Sequence, residues 1–126
     1  MNHKVVLSLG SNHGDRYANI EEAITWCAGK LNGIKVSSIY ETPEIHGIGD
    51  PYLNAVVIGE SCLSFEELTA ATKEFERTHG RDAEARHRGE VPIDIDIVIW
   101  DEAIIRPLDF SRQFFQIGYL EISAIS

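Results

Sequence analysis

Two carboxylates, Asp94 and Asp96, stand one residue apart in the run Pro92-Ile93-Asp94-Ile95-Asp96-Ile97-Val98-Ile99-Trp100. The run is rich in β-branched residues and reads as a strand, the strongest in the chain. Side chains alternate across a strand, so Ile93, Ile95, Ile97 and Ile99 are expected on one face and Asp94, Asp96, Val98 and Trp100 on the other. The carboxylates then sit roughly 6–7 Å apart on a face that Val98 and Trp100 make semi-buried, where like charges disfavour one another. A cation offsets that cost. Magnesium takes one or two carboxylates together with water and phosphate oxygens, and arginine suits bidentate phosphate contacts. Arg77, Arg81, Arg86 and Arg88, four of the seven arginines, fall within twelve residues just upstream. Arginines followed by an Asp-x-Asp strand read as a metal-dependent phosphate-handling site. The same charges also read as a structural salt-bridge network, and spacing alone leaves both open.

Other candidates are weaker. Gly10-Ser11-Asn12-His13-Gly14-Asp15 lies where phosphate loops occur, but it has no lysine and no Walker or dinucleotide spacing, so it reads first as a tight turn with a helix cap. The five histidines show no zinc-site spacing. Cys27 and Cys62 form no C-x-x-C and are expected as two buried free thiols. Tyr52 and Trp100 offer flat faces for stacking.

The elements that position these residues follow from periodicity. Residues 4–9 form a short strand. Asp15 caps a helix over about 16–31, with Ile20, Ala23, Ile24, Cys27, Ala28 and Leu31 on its apolar face. Residues 34–41 and 53–60 read as strands, antiparallel neighbours across a long loop holding Pro43, Gly47, Gly49 and Pro51. Ser64-Phe65-Glu66-Glu67 is a capping box opening a helix to about Thr78, with Phe65, Leu68, Ala71, Thr72 and Phe75 inward. The aspartate strand follows, and a short last strand is expected near 114–120. The order βαββαβ predicts an α+β, ferredoxin-like fold: a mostly antiparallel sheet with two helices on one face.

With 126 residues, 44 % of them hydrophobic, the chain suits one domain and one core. Its net charge of −9 disfavours broad nucleic-acid binding. No apolar run approaches the roughly 20 residues of a bilayer span and no basic-then-apolar leader opens the chain, so a cytoplasmic protein without membrane partners is expected.

Taken together, four blocks resemble a known family. Leu7-Ser8-Leu9-Gly10-Ser11-Asn12-His13-Gly14-Asp15-Arg16, Ser38-Ile39-Tyr40-Glu41-Thr42-Pro43, Tyr52-Leu53-Asn54-Ala55-Val56, and Glu76 through Gly80-Arg81 to Pro92-Ile93-Asp94-Ile95-Asp96-Ile97 are similar, in order and spacing, to the 6-hydroxymethyl-7,8-dihydropterin pyrophosphokinases. The resemblance implies a single pyrophosphokinase-like domain over 1–126, shortened at its C-terminal side. It implies transfer of pyrophosphate from ATP to the hydroxymethyl group of the dihydropterin in folate biosynthesis, with two Mg²⁺ ions assisting. By position, Asp94 and Asp96 match the metal pair and, with Arg81, the catalytic set. Thr42, Pro43, Tyr52, Asn54 and Phe114 match the pterin pocket. Glu76, Arg81, Arg88, Ile97 and Arg112 match the nucleotide side. Where the family carries Trp-Gly-Pro-Arg, this chain reads Arg88-Gly89-Glu90-Val91, leaving Arg86 and Arg88 as the candidates for the phosphate-binding role. The family's His-Pro segment is represented only by Arg106-Pro107-Leu108-Asp109. The alternative reading is a non-catalytic paralogue that binds a pterin or related heterocycle beside a degenerate ATP site.

Overall fold

The structure is a computed structural model, and its described residues are 2–47, 49–80 and 83–125. The elements run β1 (His3–Ser11), α1 (Arg16–Lys30), β2 (Asn32–Val36), β3 (Tyr40–Thr42), β4 (Tyr52–Ser61), α2 (Phe65–Thr78), α3 (Ala83–His87), β5 (Asp94–Trp100), β6 (Ala103–Ile104), α4 (Pro107–Phe110) and α5 (Gln113–Ile125). Strand order is β2-β4-β1-β5-β6, with β3 also paired to β4, and every pairing is antiparallel. This is the expected ferredoxin-like sheet extended by the β5–β6 hairpin.

The capping signals act as their chemistry requires. Asp15 accepts the Ala18 N–H at the start of α1, and Ser64 and Glu67 close a reciprocal capping box on α2. The first sheet face packs Val5, Leu7, Leu9, Ala55, Val57, Ile93, Ile95 and Ile97 against Ile20, Ala23 and Cys27 of α1 and Leu68 and Phe75 of α2. Ala28, expected inward, is exposed at the edge of α1.

Four further expectations need correction. The expected strand over 34–41 is two strands. At Ser37 the hydroxyl replaces a carbonyl and accepts the Val56 N–H at 2.9 Å, so the chain leaves the ladder and rejoins it at Tyr40. The expected strand near 114–120 is instead helix α5. Its β-forming residues place Phe115 and Ile122 on one helical face, where they cover Val6, Val56, Val98 and Ile99 on the second sheet face. Alternation along β5 breaks at Val98. Leu7 pairs with Ile97 and Val6 with Ile99, so one extra residue bulges out. Trp100 is thereby turned onto the helix face, 5.5 Å from the Phe65 ring, away from the aspartates. Finally, Cys27 is buried, which pushes its thiol up to about 12, whereas Cys62 in the turn after β4 is exposed. No helix among the described residues is long and apolar enough to cross a membrane.

Candidate active site

The second sheet face is only partly covered by α5. At the end where β1 finishes and β5 begins, a cavity of about 220 Å³ opens between the sheet, the segment after β3, and α4 with the start of α5. Its floor is built by register. Asp96 lies opposite Ser8 and Asp94 opposite Gly10, so each carboxylate faces a residue too small to fill the space beside it. A Cβ on Gly10 would stand 3.3 Å from Tyr52 Cδ2 and 3.8 Å from Asn54 Oδ1, inside the cavity.

Seven of the residues expected from sequence line this one space: Thr42, Pro43, Tyr52, Asn54, Asp94, Asp96 and Phe114. Asn54 is buried at 2 % exposure and held by three acceptors. Its Nδ2 donates to Thr42 Oγ1 at 2.8 Å, to the Tyr40 carbonyl at 3.2 Å and to the Tyr52 carbonyl at 3.3 Å. Those bonds fix the amide and set its oxygen on the Gly10 side. Phe114 closes the opposite wall from the first turn of α5.

The electrostatics are dominated by carboxylates. Among the described residues, Asp94, Asp96, Asp109 and Glu44 line the cavity against one guanidinium, Arg106. Burial raises the Asp96 carboxyl to about 8, reinforced by the charge of Asp94 and a hydrogen bond with it, and opposed by Arg106 and Lys73. Two carboxyl groups joined by a hydrogen bond share one proton where no metal sits between them. Because Asp96 takes up its proton more readily folded than unfolded, its contribution to stability is full below about pH 4 and is lost as pH rises toward about 8. Asp96→Asn removes that loss. In metal-free buffer the variant is expected to melt roughly 3–8 °C above wild type at pH 8, with the gap narrowing as pH falls and closing near pH 4, as read by thermal denaturation across pH.

Arg106 was not singled out for the site by sequence. Its Nη1 lies 3.9 Å from Asp96 Oδ1 and its Nε donates to Asp109 Oδ2. The β5–β6 hairpin, turned at Asp101 with φ +54°, returns the chain and delivers this residue back across β5. The available signal is that Arg106 is the one cation between the aspartate strand and Arg112.

The nucleotide-side residues are less concentrated. Glu76 is buried on the helix face, where its Oε2 accepts the Ile95 N–H at 2.8 Å and so steadies the backbone between the two aspartates. Ile97 packs in the helix-face core and borders a smaller cavity of about 90 Å³ that Asp96 and Arg106 also reach. Arg88 turns to Glu90, Nε to Oε1 2.9 Å, and stands 4.0 Å from Glu84, outside the larger cavity. Arg112 is exposed at the foot of α5. Arg81 lies outside the described residues, as does the Arg86 side chain. Asn12 ties the flanking segments together: it donates to Gly89 O at 2.9 Å and Asp50 O at 3.2 Å and accepts the Val91 N–H at 2.6 Å.

Among the described residues no group of three or more His, Cys, Asp or Glu side chains is placed to hold a metal by protein ligands alone. The aspartate pair is a two-ligand, all-oxygen donor set. That fits a hard cation such as Mg²⁺, whose shell is ordinarily completed by water and phosphate oxygens.

Residues 6–124 match the sequence model of the family described as 7,8-dihydro-6-hydroxymethylpterin-pyrophosphokinase. The chain is 34 % identical over 128 residues to the 2-amino-4-hydroxy-6-hydroxymethyldihydropteridine pyrophosphokinase of Aquifex aeolicus, a match covering 94 % of this chain and 79 % of that one. It is 42 % identical over 108 residues to the folate synthesis bifunctional protein of Chlamydia trachomatis, covering 79 % of this chain and 24 % of that one. To the mitochondrial folate synthesis bifunctional protein of Arabidopsis thaliana it is 40 % identical over 102 residues, covering 78 % and 18 % respectively. The chain thus spans about a fifth of the length of the bifunctional relatives it matches.

Proposed function

The chain belongs to the 7,8-dihydro-6-hydroxymethylpterin-pyrophosphokinase family, and from that premise we propose that it transfers the β,γ-pyrophosphoryl group of ATP to 6-hydroxymethyl-7,8-dihydropterin, a step of folate biosynthesis. The hydroxymethyl oxygen bonds to the β-phosphorus, the bridge between the α- and β-phosphates breaks, AMP leaves, and the hydroxyl proton is released. The observation that carries this reading is the single cavity in which a half-buried carboxylate pair lies with a fixed amide and an aromatic side chain.

In this reading the pterin lies flat against Phe114, with the Asn54 amide oxygen accepting from the N–H edge of the ring and Tyr52 bordering it. Thr42 holds the Asn54 amide in the orientation that recognition requires. Asp94 and Asp96 would hold the two Mg²⁺ ions, which when bound would supply neutralisation of the triphosphate and a more acidic attacking hydroxyl. Arg106, already beside Asp96, offers its guanidinium to the phosphate oxygens, with Arg81 and Arg112 as further cationic contacts. Glu76 keeps the strand between the aspartates in place, and Ile97 borders the base of the nucleotide. Transfer of this kind asks the protein mainly for positioning and charge neutralisation, which this arrangement can provide. Free thiols and the net charge of −9 agree with a reducing, cytoplasmic setting and with small molecules as partners.

Isothermal titration tests the reading. An unhydrolysable ATP analogue is expected to bind with micromolar affinity in the presence of Mg²⁺ and at least tenfold more weakly in EDTA. No binding at millimolar analogue, with or without Mg²⁺, would overturn it.

A further inference from the structure

Strand β3 carries a residue that reaches both walls of the cavity without lining it. Tyr40 pairs with Asn54 in the β3–β4 ladder, and its carbonyl oxygen accepts from Asn54 Nδ2 at 3.2 Å. Its phenol extends to the opposite wall. There the hydroxyl donates to the Phe114 carbonyl at 2.5 Å and accepts the Gly118 N–H at 3.1 Å. Residues 114 and 118 are the carbonyl and amide that face each other across one α-helical turn. One hydroxyl therefore engages the helical turn that carries Phe114.

The approach depends on glycine. A Cβ at Gly118 would stand 2.8 Å from the Tyr40 hydroxyl oxygen and 2.7 Å from Val56 Cγ2, closer than real contacts allow. Burial pushes the phenol up to about 12, so it stays protonated and keeps its donor at neutral pH. Further along the same helix a separate tie exists. The Glu121 carboxylate accepts the Ser38 N–H at 3.0 Å and the Ser38 hydroxyl at 2.7 Å. Docking of α5 thus has an anchor that leaves Phe114 untouched, and the two roles separate experimentally.

We propose that Tyr40 is a positioning residue that sets the gap between Asn54 and Phe114, and with it the affinity for the flat ring held between them. The inference rests on the pterin reading of the cavity. Removing the hydroxyl leaves the ring of residue 40, the β3–β4 ladder and the bond to Asn54 intact, and releases only the Phe114 turn.

The test compares wild type, Tyr40→Phe and Glu121→Ala for KM and dissociation constant toward hydroxymethyldihydropterin, with the Mg²⁺-bound ATP analogue as the second ligand. Tyr40→Phe is expected to weaken pterin binding ~5- to 30-fold, the range set by a buried carbonyl that loses its donor. Analogue affinity should stay within twofold and kcat at saturating pterin within threefold. Glu121→Ala, which loosens the same helix elsewhere, should lower the melting temperature while holding pterin affinity within twofold. Pterin affinity unchanged in Tyr40→Phe, or lost equally in Glu121→Ala, overturns the inference alone. A wild-type protein that takes up no pterin overturns the cavity reading and this inference together.

Discussion

Asp96→Ala and Asp94→Ala should each lower the rate of pyrophosphoryl transfer by ~10³-fold or more while leaving the fold intact. The size follows from position. Both carboxylates sit on the floor of the cavity opposite Ser8 and Gly10, with no third acidic ligand beside them placed to complete a protein-only metal site among the described residues. Removing one halves the donor set, and in Asp94→Ala the Arg106 guanidinium competes with the cation for the remaining Asp96 carboxylate. The same substitutions should abolish the Mg²⁺ dependence of analogue binding, so that affinities with and without EDTA converge. The two consequences of one site have opposite signs. Asp96 is held in the fold against its own desolvation, so neutralising it helps stability and harms activity, the pattern expected where a fold keeps a costly group for chemistry. Stopped-flow or endpoint measurement of AMP release, beside circular dichroism melting, separates the two. Variants retaining a tenth of wild-type turnover would contradict a metal role for the pair.

Gly118→Ala should produce the largest loss of stability from a single added methyl group. The new Cβ meets Val56 Cγ2 at 2.7 Å, the Tyr40 hydroxyl at 2.8 Å and Ser37 Oγ at 2.9 Å, three contacts all under 3.0 Å. Val56 is fully buried and Ser37 nearly so, and the Ser37 hydroxyl is committed to the Val56 N–H, so none of them can simply turn aside. The helix must lift from β4. Overpacking of this kind costs about 1–3 kcal/mol, and in a domain of this size each 1 kcal/mol corresponds to roughly 3–6 °C in melting temperature. A fall of roughly 3–18 °C is expected on that basis. Because Phe114 lies one turn away, weakened pterin binding should accompany it. A melting temperature within 2 °C of wild type would show that α5 does not pack as closely as these distances require.

Much of the cavity's lining is legible in the sequence, for reasons particular to its residues. Asp94 and Asp96 stand out because carboxylates in a β-branched strand need a physical reason to be there, and Thr42, Asn54 and Phe114 occupy segments whose order is recognisable. What sequence reading misses has equally specific causes. Ile97-Val98-Ile99-Trp100 is apolar throughout, so alternation carries no phase there, and the bulge at Val98 that redirects Trp100 leaves no mark. Helix α5 is built from Phe, Ile and Tyr, residues that also favour strands, and its helical period shows only in the Phe115–Ile122 spacing against the sheet. Arg106 acquires its place beside Asp96 from a two-residue hairpin turn at Asp101-Glu102, a tertiary fact with only local turn chemistry to announce it. Arg88 shows the converse. Arginine density suggests phosphate, yet its described partners are Glu84 and Glu90.

The most direct measurement is release of AMP from ATP by the purified chain with 6-hydroxymethyl-7,8-dihydropterin and Mg²⁺, run beside a reaction lacking the pterin. Pterin-dependent AMP formation, matched mole for mole by diphosphorylated pterin and stopped by EDTA, is the result predicted. Saturable pterin binding with no AMP formed would contradict it and leave the chain a heterocycle-binding relative of the enzymes it resembles.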